Sequence, residues 1–132
     1  MAQLISFSTR TFDVSKETPN PVNPIFGEGV LNWIRERLTG TPYKASKPEA
    51  EDWGWYITVV GNGATYMVGA SGQPERPAPD MDWIIQVHKH RSLADKLARR
   101  NKMTSDDPLV ALLGGFVRGE QSFRDVSIEK DA

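Results

Sequence analysis

The chain carries 132 residues with 16 Lys or Arg against 17 Asp or Glu, no Cys, and a sequence pI near 6.1. That length can bury a core without staples, and the missing thiols exclude cysteine nucleophiles, zinc–thiolate centres and disulfide frameworks. The near-neutral balance excludes the blanket cationic charge of a general nucleic-acid binder, and no apolar run approaches the ~20 residues of a spanning helix.

The first segment, Gln3 to Val14, reads as a strand with Ile5 and Phe7 on one face and Leu4 and Phe12 on the other, among Ser and Thr that suit a pleated surface. The opening MAQLISFSTRTF has neither the basic leader nor the apolar block of an export signal, so a cytoplasmic location without membrane association is expected. SKETPNPVNP, closing at Pro24, holds three prolines and reads as a loop. A helix follows, with Asn23 as its cap and Pro24 in its first turn, the regular part delayed to about Glu28 by Gly27 and Gly29. Val30, Leu31, Ile34 and Leu38 recur at helical spacing with Trp33 beside them, and Gly40 ends the helix in the C′ role.

TPYKASKPEA reads as a second loop. It delivers the chain to EDWGWYITVVGNGATYMVGA, Glu51 to Ala70, where two aromatic, β-branched runs flank Gly61, Asn62 and Gly63. Those three residues tolerate positive φ, so the segment reads as a hairpin of Trp53 to Val60 and Ala64 to Ala70. Two-residue periodicity puts Trp53 and Trp55 on one face with Ile57 and Val59. SGQPERPAPD, with three prolines in ten residues, should cross the surface. Asp82 to His88 is a further strand, Trp83, Ile85 and Val87 alternating against Gln86 and His88, with Ile84 suggesting burial on both faces over part of its length.

Ser92 with Asp95 forms a capping-box variant that opens a short basic helix, on which Leu93 and Leu97 pair one turn apart. Another helix opens at Asp107 and Pro108, runs through Leu109, Leu112, Leu113 and Phe116, and ends at Gly119. Gly114 and Gly115 in its interior cost about 1 kcal/mol each relative to Ala, which suggests close packing there. Phe123 to Ile128 reads either as a short last strand or as a tail. The element order predicts a single globular domain over residues 1–132, an α+β fold with a mainly antiparallel sheet of four or five strands and about three helices packed on one face.

The charge is unevenly spread. Between Gln86 and Lys102, six cations (Lys89, Arg91, Lys96, Arg99, Arg100 and Lys102) face one acid, Asp95, a local +5 that leaves −6 on the rest of a chain whose total is −1. Such a split favours contact with a charged protein partner or a second copy of the chain, although a solvated helix face is the plainer account of the same residues. Lys96, Arg99, Arg100 and Lys102 are the partner-binding set. The same cations could touch phosphates, but no aromatic lies among them to stack a base, so nucleic acid is the weaker use.

Glu51 and Asp52, with Glu49, stand just before the tryptophan pair, and acids beside rings at a sheet mouth suit a small ligand or acid–base work. Trp53, Trp55, Glu51 and Asp52 are therefore the ligand-binding set, weighed against the commoner use of large rings as core. His88 and His90, two apart, would turn both imidazoles to one side as a pair of metal ligands. A third ligand would have to come from afar, from Asp106 or Asp107, and Lys89 and Arg91 repel a cation.

Gly27 with Gly29 and Gly61 with Gly63 give only GxG, without the third glycine or the GK[ST] of a phosphate loop, and no GxSxG occurs. No cofactor and no catalytic residue is expected. The leading expectation is a non-enzymatic interaction module of a bacterial-type cytoplasmic protein, binding through the basic helix Ser92 to Lys102. The alternatives are a small-ligand or enzymatic site at the sheet mouth and weak nucleic-acid binding.

Overall fold

A computed structural model describes residues 2–72 and 81–130. Its strands are β1 (Ala2–Thr9), β2 (Lys44–Ala45), β3 (Glu49–Glu51), β4 (Gly54–Gly61), β5 (Ala64–Gly72), β6 (Met81–Lys89) and β7 (Arg124–Lys130). Its helices are α1 (Glu28–Leu38), α2 (Leu93–Leu97) and α3 (Pro108–Gly119), with a 3-10 turn at Val14–Lys16. All the strands join one antiparallel sheet in the order β2-β4-β5-β6-β1-β7, with β3 also paired to β4.

The fold is α+β with an antiparallel sheet, which among the described residues has seven strands where the sequence predicts four or five. The extra pairing comes from TPYKASKPEA. Lys44–Ala45 pairs with Val60 and Val59, and Glu49–Glu51 pairs with Tyr56 to Gly54. Pieces this short carry too little alternation to register as strands, and their lysines and Pro48 suit an edge. The C-terminal segment is strand and not tail: β7 returns to β1, with Ile5 opposite Ile128 and a register shift between Ser6 and Ser8.

The β4–β5 hairpin forms where the glycines predict it. Asn62 and Gly63, at φ 52 and 74, are the two loop residues between paired Gly61 and Ala64, as a type I′ turn requires. One sheet face, carrying Ile5, Phe7, Ile57, Val68, Trp83 and Ile85, is buried in a common core with Val30, Leu31, Ile34 and Leu38 of α1 and Leu109, Leu113 and Val117 of α3.

Three local readings change. β1 stops at Thr9, and Phe12 lies beyond it, edge-on to Trp33 and Trp83 with ring centroids 6.3 and 5.7 Å away. Asn23 does not cap α1. The Glu17 carboxylate does so from a distance, accepting the N–H groups of Gly27, Glu28 and Gly29 at 3.0, 3.1 and 3.1 Å, where the helix dipole favours an anion. Burial pushes the Glu17 carboxyl up, and those three donors pull the other way.

The buried stripe of α3 is rotated from the one predicted: Leu112 and Phe116 are half-exposed, while Val110, Gly114 and Val117 are buried. Gly114 accounts for the rotation, because a Cβ there would lie 2.7 Å from Cδ1 of Ile128; its absence lets α3 settle on β7. The proline-rich crossing expected after Gly72 lies outside the described residues. No helix among the described residues is long and apolar enough to cross a membrane.

Candidate interaction surface

The segment between β6 and α3 leaves the sheet and returns to it, and its two ends are clamped together. At one end Lys89 closes β6, and at the other Asp107 opens α3. Lys89 Nζ lies 2.9 Å from Asp107 Oδ2, and the Tyr66 hydroxyl donates to the same oxygen at 3.1 Å. The other carboxylate oxygen, Oδ1, accepts the N–H groups of Leu109 and Val110 and so caps α3. The Asp107 side chain is fully buried and that of Lys89 is 13% exposed. Burial, followed by the neighbouring carboxylate, pushes the Tyr66 phenol up. A buried charge held this completely stays in one geometry, since breaking any contact strands a polar group.

Local capping shapes the segment that this clamp holds. The Ser92 hydroxyl accepts from Asp95 N at 3.0 Å and the Asp95 carboxylate accepts from Ser92 N at 3.1 Å, a reciprocal capping box. The Ser92 N–H, followed by the Asn101 side chain, holds the Asp95 carboxyl below its ordinary range. At the far end Arg100 N donates to Asp95 O at 2.7 Å, Arg91 Nε donates to Arg100 O at 3.0 Å, and Arg99 takes φ 58. That left-handed position is one glycine fills at helix ends, and a non-glycine residue there costs about 1 kcal/mol. Lys89, Arg91, Lys102 and Met103 line a cleft of about 240 Å³ beside this turn.

On this frame α2 buries none of its residues. Leu93 and Leu97, predicted to pair along the helix, are 74% and 78% exposed. Lys96, Arg99, Arg100 and Lys102 of the same segment are exposed, and Arg100 Nε lies 3.7 Å from Oδ1 of Asp95, the one acid in the helix. Sequence reasoning located these cations but put them on a helix running to Lys102, whereas α2 ends at Leu97 and Arg99, Arg100 and Lys102 lie beyond it, with Arg99 and Asn101 at positive φ. It missed the outward leucines, although five residues offer too little length to build a stripe, and it missed the Lys89–Asp107–Tyr66 clamp, whose partners lie on three separate elements.

The ligand-binding set is divided by the sheet. Trp53 belongs to the two-residue turn between paired Glu51 and Gly54, so strand periodicity does not reach it. Its ring lies over Gly69 on the face away from the helices, where a Cβ on Gly69 would come 2.4 Å from the ring. Trp55 is on the opposite, core face, 5% exposed, with Nε1 donating to Ile25 O at 3.2 Å. The expectation of a shared face fails, and the two rings form no common wall.

Glu51 and Asp52 are exposed, with their carbonyls bonded by Asn20 and Asn23. Glu49 accepts from the phenol of Tyr56, opposite it in register, and pushes that phenol up. His88 is half-buried, with Nε2 3.1 Å from Gln86 Oε1, and His90 is exposed beyond the strand. Among the described residues no cluster of three His, Cys, Asp or Glu is arranged for a metal, and Asp107, one of the acids considered for it, is engaged by Lys89 and Tyr66.

No protein-family model, curated protein or solved structure matches this chain. The functional reading therefore rests on the geometry of the surface itself.

Proposed function

We propose that this protein is an interaction module that docks on an acidic protein partner through α2 and the cations around it. The observation that carries the reading is the outward pair Leu93 and Leu97, 74% and 78% exposed on a helix with no buried residue. Scattered single leucines on a surface need no explanation, but two on one turn, in a segment whose Lys96, Arg99, Arg100 and Lys102 are also exposed, put apolar surface and cations in one short stretch. Burying each leucine against a partner contributes about 1.5–3 kcal/mol, while the cations steer encounter and select an acidic surface. The clamp at Lys89 and Asp107 supports the reading further, because a fixed frame loses little freedom on binding.

A second copy of the chain is an alternative source of acid, through Glu49, Glu51 and Asp52 at the sheet edge. Reversing both Arg99 and Arg100 to Glu, followed by sizing and pull-down at low and high salt, tests the proposal. Complexes formed by the natural chain should weaken as salt rises and disappear in the double reversal. Assembly that is the same in both proteins at both salt concentrations would count against it.

A further inference from the structure

A cleft of about 510 Å³ opens between α3 and the sheet edge formed by β1 and β7, lined by Gln3, Gly115, Arg118, Ile128 and Lys130 among others. Its volume falls within the range of small-molecule sites. Two features of this cleft have no internal explanation.

The first is Gln3. It lies on β1 on the side of Ile5 and Phe7, is 2% exposed, and its side-chain nitrogen finds no hydrogen-bond partner among the described residues. Buried amides are nearly always paired, and one left unpaired at the wall of a cleft is a donor without an acceptor. The second is Gly115. Glycine within a helix is disfavoured relative to alanine, and Gly114 has its reason in the contact with Ile128. Gly115 has none, since a Cβ there would meet nothing within 4 Å. With Ala111 four residues before it and Arg118 three after, it shares one helix face, so small side chains leave room beside a cation. On the same wall Lys130 sits beside Gln3 as its cross-strand partner, and neighbours of this kind have side chains within reach of one ligand group.

We infer that this cleft binds a small organic carboxylate with an apolar body. The carboxylate accepts from the Gln3 amide and pairs with Lys130 and Arg118, and the body lies against Ile128 and the bare backbone at Gly115. An acceptor oxygen answers the unpaired donor, two cations of the same sign at the rim answer its charge, and the missing side chain admits its bulk.

Octanoate is the probe, followed by two-dimensional amide NMR on the whole chain, with 1-octanol as the uncharged control. Millimolar octanoate should shift the Gln3 side-chain amide and the Gly115 backbone amide along one saturable curve, with 1-octanol at least about tenfold weaker. Gly115→Leu fills the space and improves helix propensity, so it should fold with an undiminished melting temperature and lose the response. Arg118→Glu, placed at the rim, should weaken octanoate by about tenfold or more even if Gly115→Leu proves unstable. Absence of saturable shifts at Gln3 and Gly115, an equal response to 1-octanol, or an unchanged response in the folded variants would overturn the inference.

Discussion

α2 and α3 carry the same apolar signal and put it to opposite uses. Each has leucines four residues apart, Leu93 and Leu97 in one, Leu109 and Leu113 in the other. The second pair is 0% and 1% exposed, and the first is 74% and 78% exposed. What separates them is length and seating. α3 runs twelve residues, opens with its cap tied to the sheet through Asp107, and settles on β7 at Gly114. α2 runs five residues and is held by its own caps and by the clamp at the base of the segment. Helical spacing therefore reports that an apolar stripe exists, and tertiary seating decides whether it faces the core or the solvent.

The largest blow to the comparison should be Asp107→Ala, which removes the cap of α3 and strands Lys89 as a poorly solvated charge. We expect a loss of about 3–5 kcal/mol in urea denaturation, because breaking one side of a buried pair costs more than the pair contributes. A loss below about 1 kcal/mol, the scale of an ordinary hydrogen bond, would mean that the clamp is not the anchor of this segment.

Matched truncations of the two leucine pairs come next. Leu113→Ala should cost about 2–5 kcal/mol by the same assay. Leu97→Ala should stay within about 0.5 kcal/mol, as exposed positions do. Similar losses at both positions would erase the contrast between the helices.

Tyr66→Phe sharpens the account of the clamp by pH. The phenol is pushed above its ordinary value of 10.0, so its contribution is complete below that pH in the natural chain and is lost as pH rises through the raised folded value. The stability gap between the natural chain and Tyr66→Phe, about 1 kcal/mol near neutrality, should therefore narrow in alkaline buffer. A gap that widens above pH 10.0 would contradict the sign. The smallest effect belongs to Arg99→Gly, which relieves the left-handed strain and should stabilise the chain by about 0.5–1 kcal/mol in thermal melts while removing one cation from the proposed docking surface.

Much of this fold was legible where local chemistry is decisive. The Asn62–Gly63 turn, the Ser92–Asp95 box and the Asp107–Pro108 start of α3 each satisfy backbone groups with neighbouring residues, so the pattern is visible within a few positions. What was hidden depended on distance in sequence. Glu17 caps α1 from ten residues away, and Lys89 meets Asp107 and Tyr66 only once the sheet has formed. Trp53 shows a different gap: strand periodicity assigned its face correctly only if the strand included it, and Gly54 at φ 148 begins the strand one residue too late. The cations of the candidate surface were readable as a charge imbalance, whereas the outward leucines emerged only when α2 was seen to bury nothing.

The central claim, that α2 is a docking surface, is tested most directly by replacing Leu93 and Leu97 together with Ser and comparing the proteins retained by the natural chain, by this variant and by the Arg99→Glu, Arg100→Glu variant. Since neither leucine is buried, the melting temperature should not fall. The account predicts that an acidic protein, or a second copy of the chain, is retained by the natural chain and lost from both variants. Retention of the same proteins by all three, or a collapse of the fold when the leucines are replaced, would contradict it.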